Sequence, residues 1–257
     1  MVSGVEPVCR LSHDLPSDSY RTSLRMTPPK KESGNKMEKR RNELLKVLVA
    51  SSTVSVLLCI ARMFWMDSYQ FGFLLWNLFL AWIPFLIAQQ MKLQQSKWIH
   101  YTLFLCWLPF LPNAPYIVTD LVHLHHYNGK TMYWFDMFLI FSFAWNGLIL
   151  GFLSLNRIHH VLNHYFNKPV SWVLIFVLIY LCGYGVYLGR FDRYNSWDIV
   201  SNPVELFSSI YYDYRHPMHN LDALGFSLLT SSFIMIFYIT LVVYKNHKLS
   251  EQIIEKR

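Results

Sequence analysis

Apolar positions in this chain gather into runs of near membrane-spanning length, separated by short polar segments that hold most of the charge. A helix needs about 20 apolar residues to cross a bilayer core. On that measure the pattern predicts spans over 44–64, 69–88, 98–111, 132–155, 169–188 and 221–244, the third of them short for a full crossing. The expected fold is an all-α membrane protein of about six transmembrane helices, with short interfacial helices on the outer face. Residues 1–43 read as a disordered basic cytoplasmic tail, 44–244 as the transmembrane domain and 245–257 as a second cytoplasmic tail. The stretch 1–36 is rich in Ser, Pro, Lys and Arg and offers no apolar face to bury. Met37 stands directly before the basic start of the first span, which makes it the expected start of translation.

Charge sets the direction of the spans. Lys39, Arg40, Arg41, Lys92, Lys97, Arg157, Lys168 and Lys245 border one set of span ends, and fewer basic residues, Arg62, Lys130, Arg190, Arg193 and Arg215, border the other. Under the positive-inside rule both termini are cytoplasmic, in a multi-pass protein of the cell membrane. Trp65, Tyr69, Trp98, Tyr133, Trp134, Trp172 and Tyr187 fall near span ends, where amphipathic rings favour the headgroup level. The composition agrees: 53% of the 257 residues are hydrophobic and 15% charged, against about 25% charged in soluble domains. A net charge of +7 would suggest nucleic acid in a soluble protein, but here the basic residues lie beside apolar spans and fix topology, so nucleic-acid binding is rejected. Cys59, Cys106 and Cys182 sit inside apolar runs and Cys9 in the polar tail, a spacing that offers no disulfide framework and no Cys-ligated zinc.

Two outer segments are not ordinary loops. In Leu108-Pro109-Phe110-Leu111-Pro112-Asn113-Ala114-Pro115, proline removes backbone donors and ends the third span. Asn113 then reads as the cap of a new helix with Pro115 in its first turn. Over 116–127 the spacing of Ile117, Leu121 and Leu124 predicts an amphipathic helix that presents Asp120 and His123 together, an orientation suited to acid–base chemistry or metal sharing. The competing reading is an interfacial helix whose polar face meets water and headgroups. The second segment carries Arg190 and Arg193, whose guanidinium forks suit a phosphate or carboxylate, with Asn195 as a supporting polar group and Asp192 and Asp198 as alternative neutralising partners. Asn202-Pro203-Val204-Glu205 then opens a short helix with Leu206, Phe207, Ile210 and Tyr211 on its apolar face.

His216, His219 and Asp222, together with His123, form a candidate set for a divalent metal, since imidazole and carboxylate suit zinc, iron or manganese. No contiguous metal motif supports it, and no cofactor is specified. His159, His160 and His164 read as solvated residues of a basic loop. Within the spans, Asn77, Asp136 and Asn146 should face the bundle interior or, for Asp136, its mouth.

The segments Trp76-Asn77-Leu78-Phe79-Leu80-Ala81-Trp82-Ile83-Pro84, Leu111-Pro112-Asn113-Ala114-Pro115-Tyr116-Ile117-Val118-Thr119-Asp120-Leu121, Gly189-Arg190-Phe191 and Arg193-Tyr194-Asn195-Ser196-Trp197-Asp198 resemble, in that order, an uncharacterised bacterial membrane family, domain of unknown function 1361 (DUF1361). The resemblance runs over about 44–244 and implies the membrane architecture, with no reaction or catalytic residue to carry over. The leading expectation is a protein that binds or processes a lipid or envelope component at an extracytoplasmic polar site, in contact with membrane lipids and with an anionic lipid or envelope ligand. The alternatives are a small transporter, with Asp136 on its path, and a noncatalytic partner of another membrane protein. The oligomeric state stays open.

Overall fold

A computed structural model describes residues 31–67, 69–127, 133–216, 218 and 220–254. Its helices are α1 (Lys31–Met66), α2 (Gly72–Gln90), α3 (Lys97–Trp107), α4 (Asn113–Thr119), α5 (Tyr133–Tyr165), α6 (Lys168–Arg190), α7 (Asp198–Ser201), α8 (Pro203–Arg215) and α9 (Leu221–Ile254). A 3₁₀ turn over Leu108–Phe110 joins α3 to α4, and a second continues α4 over Asp120–Tyr127. No strand occurs among the described residues. Six helical stretches are long and apolar enough to cross a membrane, so the protein is an all-α, multi-pass membrane protein.

The chain divides into two compact units, 1–47 and 48–257. Of the tail expected over 1–43, residues 31–43 are helical and belong to the start of α1, while residues 1–30 lie outside the described residues. In this first unit Glu38 and Arg41 approach to 3.9 Å and Glu43 and Lys46 to 3.1 Å, exposed pairs one helical turn apart that add little to stability.

In the second unit α5 is the central helix: 61% of its span is buried, against 22% for the span of α1. α2 and α4 pack against α5, and α9 packs against α6. The small residues of α5 explain how α4 gets so close. A Cβ on Gly147 would stand 2.5 Å from the Ala114 carbonyl oxygen, and one on Gly151 would stand 2.9 Å from the Ala114 Cβ. Spaced four apart, the two glycines form one bare stripe on the helix, the arrangement that lets backbones meet in a membrane. On the other side of α4, a Cβ on Gly185 of α6 would lie 2.5 Å from Pro112.

Polar side chains inside the bundle find partners, since an unpaired one is costly in hydrocarbon. Asn146 donates to Ser55 Oγ at 3.0 Å and to the Ser142 carbonyl at 2.9 Å, linking α5 to α1. Trp107 Nε1 donates to Ser154 Oγ at 2.6 Å, and that hydroxyl donates to the Pro84 carbonyl at 3.0 Å, linking α3, α5 and α2. Asp136 is buried rather than at a wet mouth, 2% exposed, and takes two hydrogen bonds from Arg62, 2.5 Å from Nε and 2.9 Å from Nη2.

The histidine-rich segment corrects the sequence reading. α5 continues past its apolar run to Tyr165, because no proline interrupts it before Pro169, where Asn167 caps α6 by accepting from Val170 N–H at 3.1 Å. His159 is thus a buried helical residue, with Nδ1 2.8 Å from the Tyr238 hydroxyl and its ring against Trp172.

Candidate functional site

The site is built where α4 meets the end of α6. Arg190, in the last turn of α6, donates to Asp120 Oδ1 at 3.0 Å, to the Thr119 carbonyl at 2.8 Å and to the Tyr116 hydroxyl at 3.3 Å. Asn77 of α2 donates to the other carboxylate oxygen of Asp120 at 2.8 Å. Asp120 is 1% exposed, so this carboxylate is tied on both oxygens and sealed from water. The two outer segments singled out in the sequence do converge, and through Asn77 they also engage α2.

Other expected site residues take different places. His123 packs its ring on Phe73 at 4.9 Å, whereas the described partners of the Asp120 carboxylate are Asn77 and Arg190. Asn113 is the first residue of α4, not its cap, which is Pro112; its amide donates to the Phe110 carbonyl at 3.1 Å and to Ser196 Oγ at 2.7 Å. Arg193 is exposed and occupies the left-handed region at φ 61°. That turn sends the chain back over the end of α6, where Tyr194 N–H donates to the Leu188 carbonyl at 3.1 Å. Asp198 accepts from the Asn195 backbone N–H at 2.6 Å and from the Ser201 hydroxyl at 2.9 Å, bonds made to the charged form that hold its carboxyl below the usual carboxylate range. Asp198 therefore fixes the turn that carries Asn195.

Among the described residues no three His, Cys, Asp or Glu side chains converge as ligands. His216 packs against the Tyr212 ring at 5.0 Å, Asp222 is exposed at the start of α9, and His219 lies outside the described residues.

Beside the Asp120–Arg190 pair lies a cavity of about 310 Å³. Its polar lining comprises Asn77, Asn113, Tyr116, Tyr184, Tyr194, Asn195 and Ser196, and its apolar lining includes Trp76, Leu80, Leu108, Leu181, Leu206 and Ile210. Tyr184 donates its hydroxyl proton to Asp213 Oδ2 at 2.8 Å, and Asn220 donates to the other oxygen at 2.9 Å, which anchors the C-terminal half of α8 beside the cavity. The apolar face expected for α8 is divided: Leu206 and Ile210 turn inward, and Phe207 and Tyr211 are exposed.

The deepest lining residues on two helices are apolar: Leu181 lies about one turn of α6 deeper than Tyr184, and Leu80 about one turn of α2 deeper than Asn77. Leu181 is also 42% exposed on a membrane-spanning helix, and Trp76 is 52% exposed, so the lining includes accessible side chains on two of the spans.

Sequence reasoning missed Arg62 as the partner of Asp136 and Asn77 as a partner of Asp120. The signal was present in both cases, a charged or amide side chain inside an apolar run, but its partner is fixed by which helices neighbour each other. No curated protein and no solved structure matches the chain. A family profile matches residues 76–243, from Trp76 at the cavity rim through Asp120, Asp136 and Arg190. The chain belongs to the family described as "Protein of unknown function (DUF1361)".

Proposed function

We propose that this membrane protein binds a membrane lipid, or a lipid-linked envelope component, with the head group at the polar end of the cavity and the tail along its apolar wall. The observation that carries the reading is that one lining joins amides and hydroxyls to apolar side chains of two spans, with Leu181 accessible on its helix. A water-soluble ligand gains nothing from the deep apolar lining, whereas an amphiphile satisfies both kinds of lining. The excess of basic residues at the opposite span ends supports an extracytoplasmic cavity and cytoplasmic termini, in the cell membrane.

Binding is favoured over turnover. A general acid or base must reach its substrate within hydrogen-bonding distance, and the Asp120 carboxylate is sealed and doubly bonded. Asp120 and Arg190 are positioning residues that tie α4, α2 and α6 into one wall.

The test is lipid retention. Native mass spectrometry of the protein released from micelles should show a bound lipid that Leu181→Trp, which adds bulk to the apolar lining, removes. Val173→Trp places the same bulk on an exposed face of the same helix, outside the cavity lining, and should retain the lipid. Equal retention by wild type and Leu181→Trp refutes the reading.

A further inference from the structure

We infer that the cavity selects an uncharged, hydroxyl-rich head group, of the kind a glycosyl lipid carries, over a phosphate-bearing one; this rests on the lipid-site reading above.

The inference comes from which atoms remain to bond a ligand. Asn77 faces a carboxylate and Asn113 faces a backbone carbonyl, and both of those groups can only accept. Each amide is therefore oriented with its NH₂ toward the protein, and each Oδ1, an acceptor, engages no described residue. Tyr184 has committed its proton to Asp213, which leaves its oxygen also an acceptor. Three of the seven polar side chains lining the cavity thus ask a ligand for donors, while Tyr116 and Ser196, whose oxygens accept from Arg190 and Asn113, offer hydroxyl protons. A hydroxyl group donates and accepts and so meets both kinds of partner, whereas the phosphodiester group only accepts.

Charge points the same way. No lysine, arginine, histidine or carboxylate is among the described residues lining the cavity. The nearby Arg190 is compensated by Asp120 at 3.0 Å, and Arg193 is exposed away from the lining. An anion moved from water into such a neutral wall loses hydration with no cation to replace it, and an ammonium finds no carboxylate. The apolar face of a sugar ring, in contrast, can lie on the broad indole of Trp76, which is held edge-on to Trp197 with ring centroids 6.2 Å apart at the cavity rim.

The experiment titrates dioleoyl glucosylglycerol, dioleoylphosphatidylglycerol, dioleoylphosphatidylethanolamine and dioleoylglycerol against the full chain in a polyoxyethylene detergent, which carries no competing sugar, with native mass spectrometry as readout. The expected result is glucosylglycerol binding at least roughly tenfold tighter than any of the other three, the effect of one well-made hydrogen bond near the upper end of its usual net contribution. Leu181→Trp should abolish it, and Trp76→Leu should weaken it without changing the melting temperature. If phosphatidylglycerol, phosphatidylethanolamine or dioleoylglycerol binds as tightly or more tightly, and Leu181→Trp removes that binding, the head-group inference is overturned while the lipid site stands. If Leu181→Trp changes the binding of none of the four, both fall.

Discussion

Replacing Arg62 or Asp136 separates a buried ion pair from ordinary helix packing. The pair joins α1 to α5 with two short hydrogen bonds, at 2.5 and 2.9 Å, between side chains 5% and 2% exposed. Removing one member of such a pair strands the other charge and costs about 3–5 kcal/mol, whereas replacing both with apolar residues is often neutral. Arg62 lies about one turn from the end of α1 and Asp136 about one turn from the start of α5, nearer an interface than the bilayer centre, so the lower part of that range applies. Arg62 also lies over the Phe71 ring, 5.4 Å from its centroid, a contact worth about 0.5–2 kcal/mol that Arg62→Met loses as well. A stranded carboxylate can shed its charge by binding a proton, but a guanidinium cannot. Asp136→Leu, which strands a guanidinium, and Arg62→Met, which strands a carboxylate and loses the Phe71 contact as well, should each cost about 3 kcal/mol or more, and the double variant should recover to within about 1–2 kcal/mol of wild type. Equilibrium unfolding in mixed micelles, as a function of dodecyl sulfate mole fraction, measures all four corners of the cycle. Additive single-variant losses, or a loss below about 1 kcal/mol for Asp136→Leu, would refute the buried-pair account.

Gly147→Leu should be more disruptive than most glycine substitutions, because its Cβ meets the Ala114 backbone oxygen and cannot be relieved by a rotamer change; about 1–3 kcal/mol or more of thermal stability should be lost, and an unchanged melting temperature would contradict the close α4–α5 contact. For topology, in a background lacking the native cysteines, Asn195→Cys should react with an impermeant thiol reagent on intact cells and Lys92→Cys only after permeabilisation; outside labelling at position 92 would reverse the orientation. Partial desolvation and the neighbouring Asp213 carboxylate raise the carboxyl of the exposed Asp192 above its ordinary value, so the folded state holds this proton more tightly than the unfolded chain and stability falls as pH rises from the unfolded value through the folded one. Asp192→Asn should then raise thermal stability at neutral pH, with the gain disappearing in acid below the usual carboxylate range, and a loss at neutral pH would refute the sign.

The membrane architecture was legible because hydrocarbon imposes a length and a polarity on every span, and both are written locally. The end of the third span was misread at the prolines: the backbone stays right-handed helical through Leu108–Phe110 and Pro112, and one stretch long and apolar enough to cross runs over Lys97–Leu124. The meeting of Asp120 with Arg190 could be argued from cost, since opposite charges confined to one boundary relieve each other. The pairing of Arg62 with Asp136 could not, because it depends on α1 lying beside α5 across 74 residues of chain, and apolar runs do not encode helix order. His159 was misread because the apolar run ends before the helix does. The stripe Gly147-Leu148-Ile149-Leu150-Gly151 carries a recognisable spacing, yet its partner, the Ala114 backbone, is equally a matter of helix order.

Charge placement in this protein separates support from recognition. Asp120, Arg190, Arg62 and Asp136 are the costly groups, and each is matched to an opposite charge within hydrogen-bonding distance. A buried pair is weak evidence for stability in itself, because desolvation offsets much of the attraction. What such a pair provides is geometry: Arg190 reaches the Thr119 carbonyl and the Tyr116 hydroxyl as well as Asp120, so one side chain fixes the angle between α4 and α6. Because Asn77 closes the same carboxylate from α2, a shift of any one of the three helices breaks a bond held by the others. The cavity wall is thereby set by charges that do not line it. That arrangement leaves the described lining without a charged side chain, the condition under which head groups are discriminated by hydroxyl pattern instead of by charge.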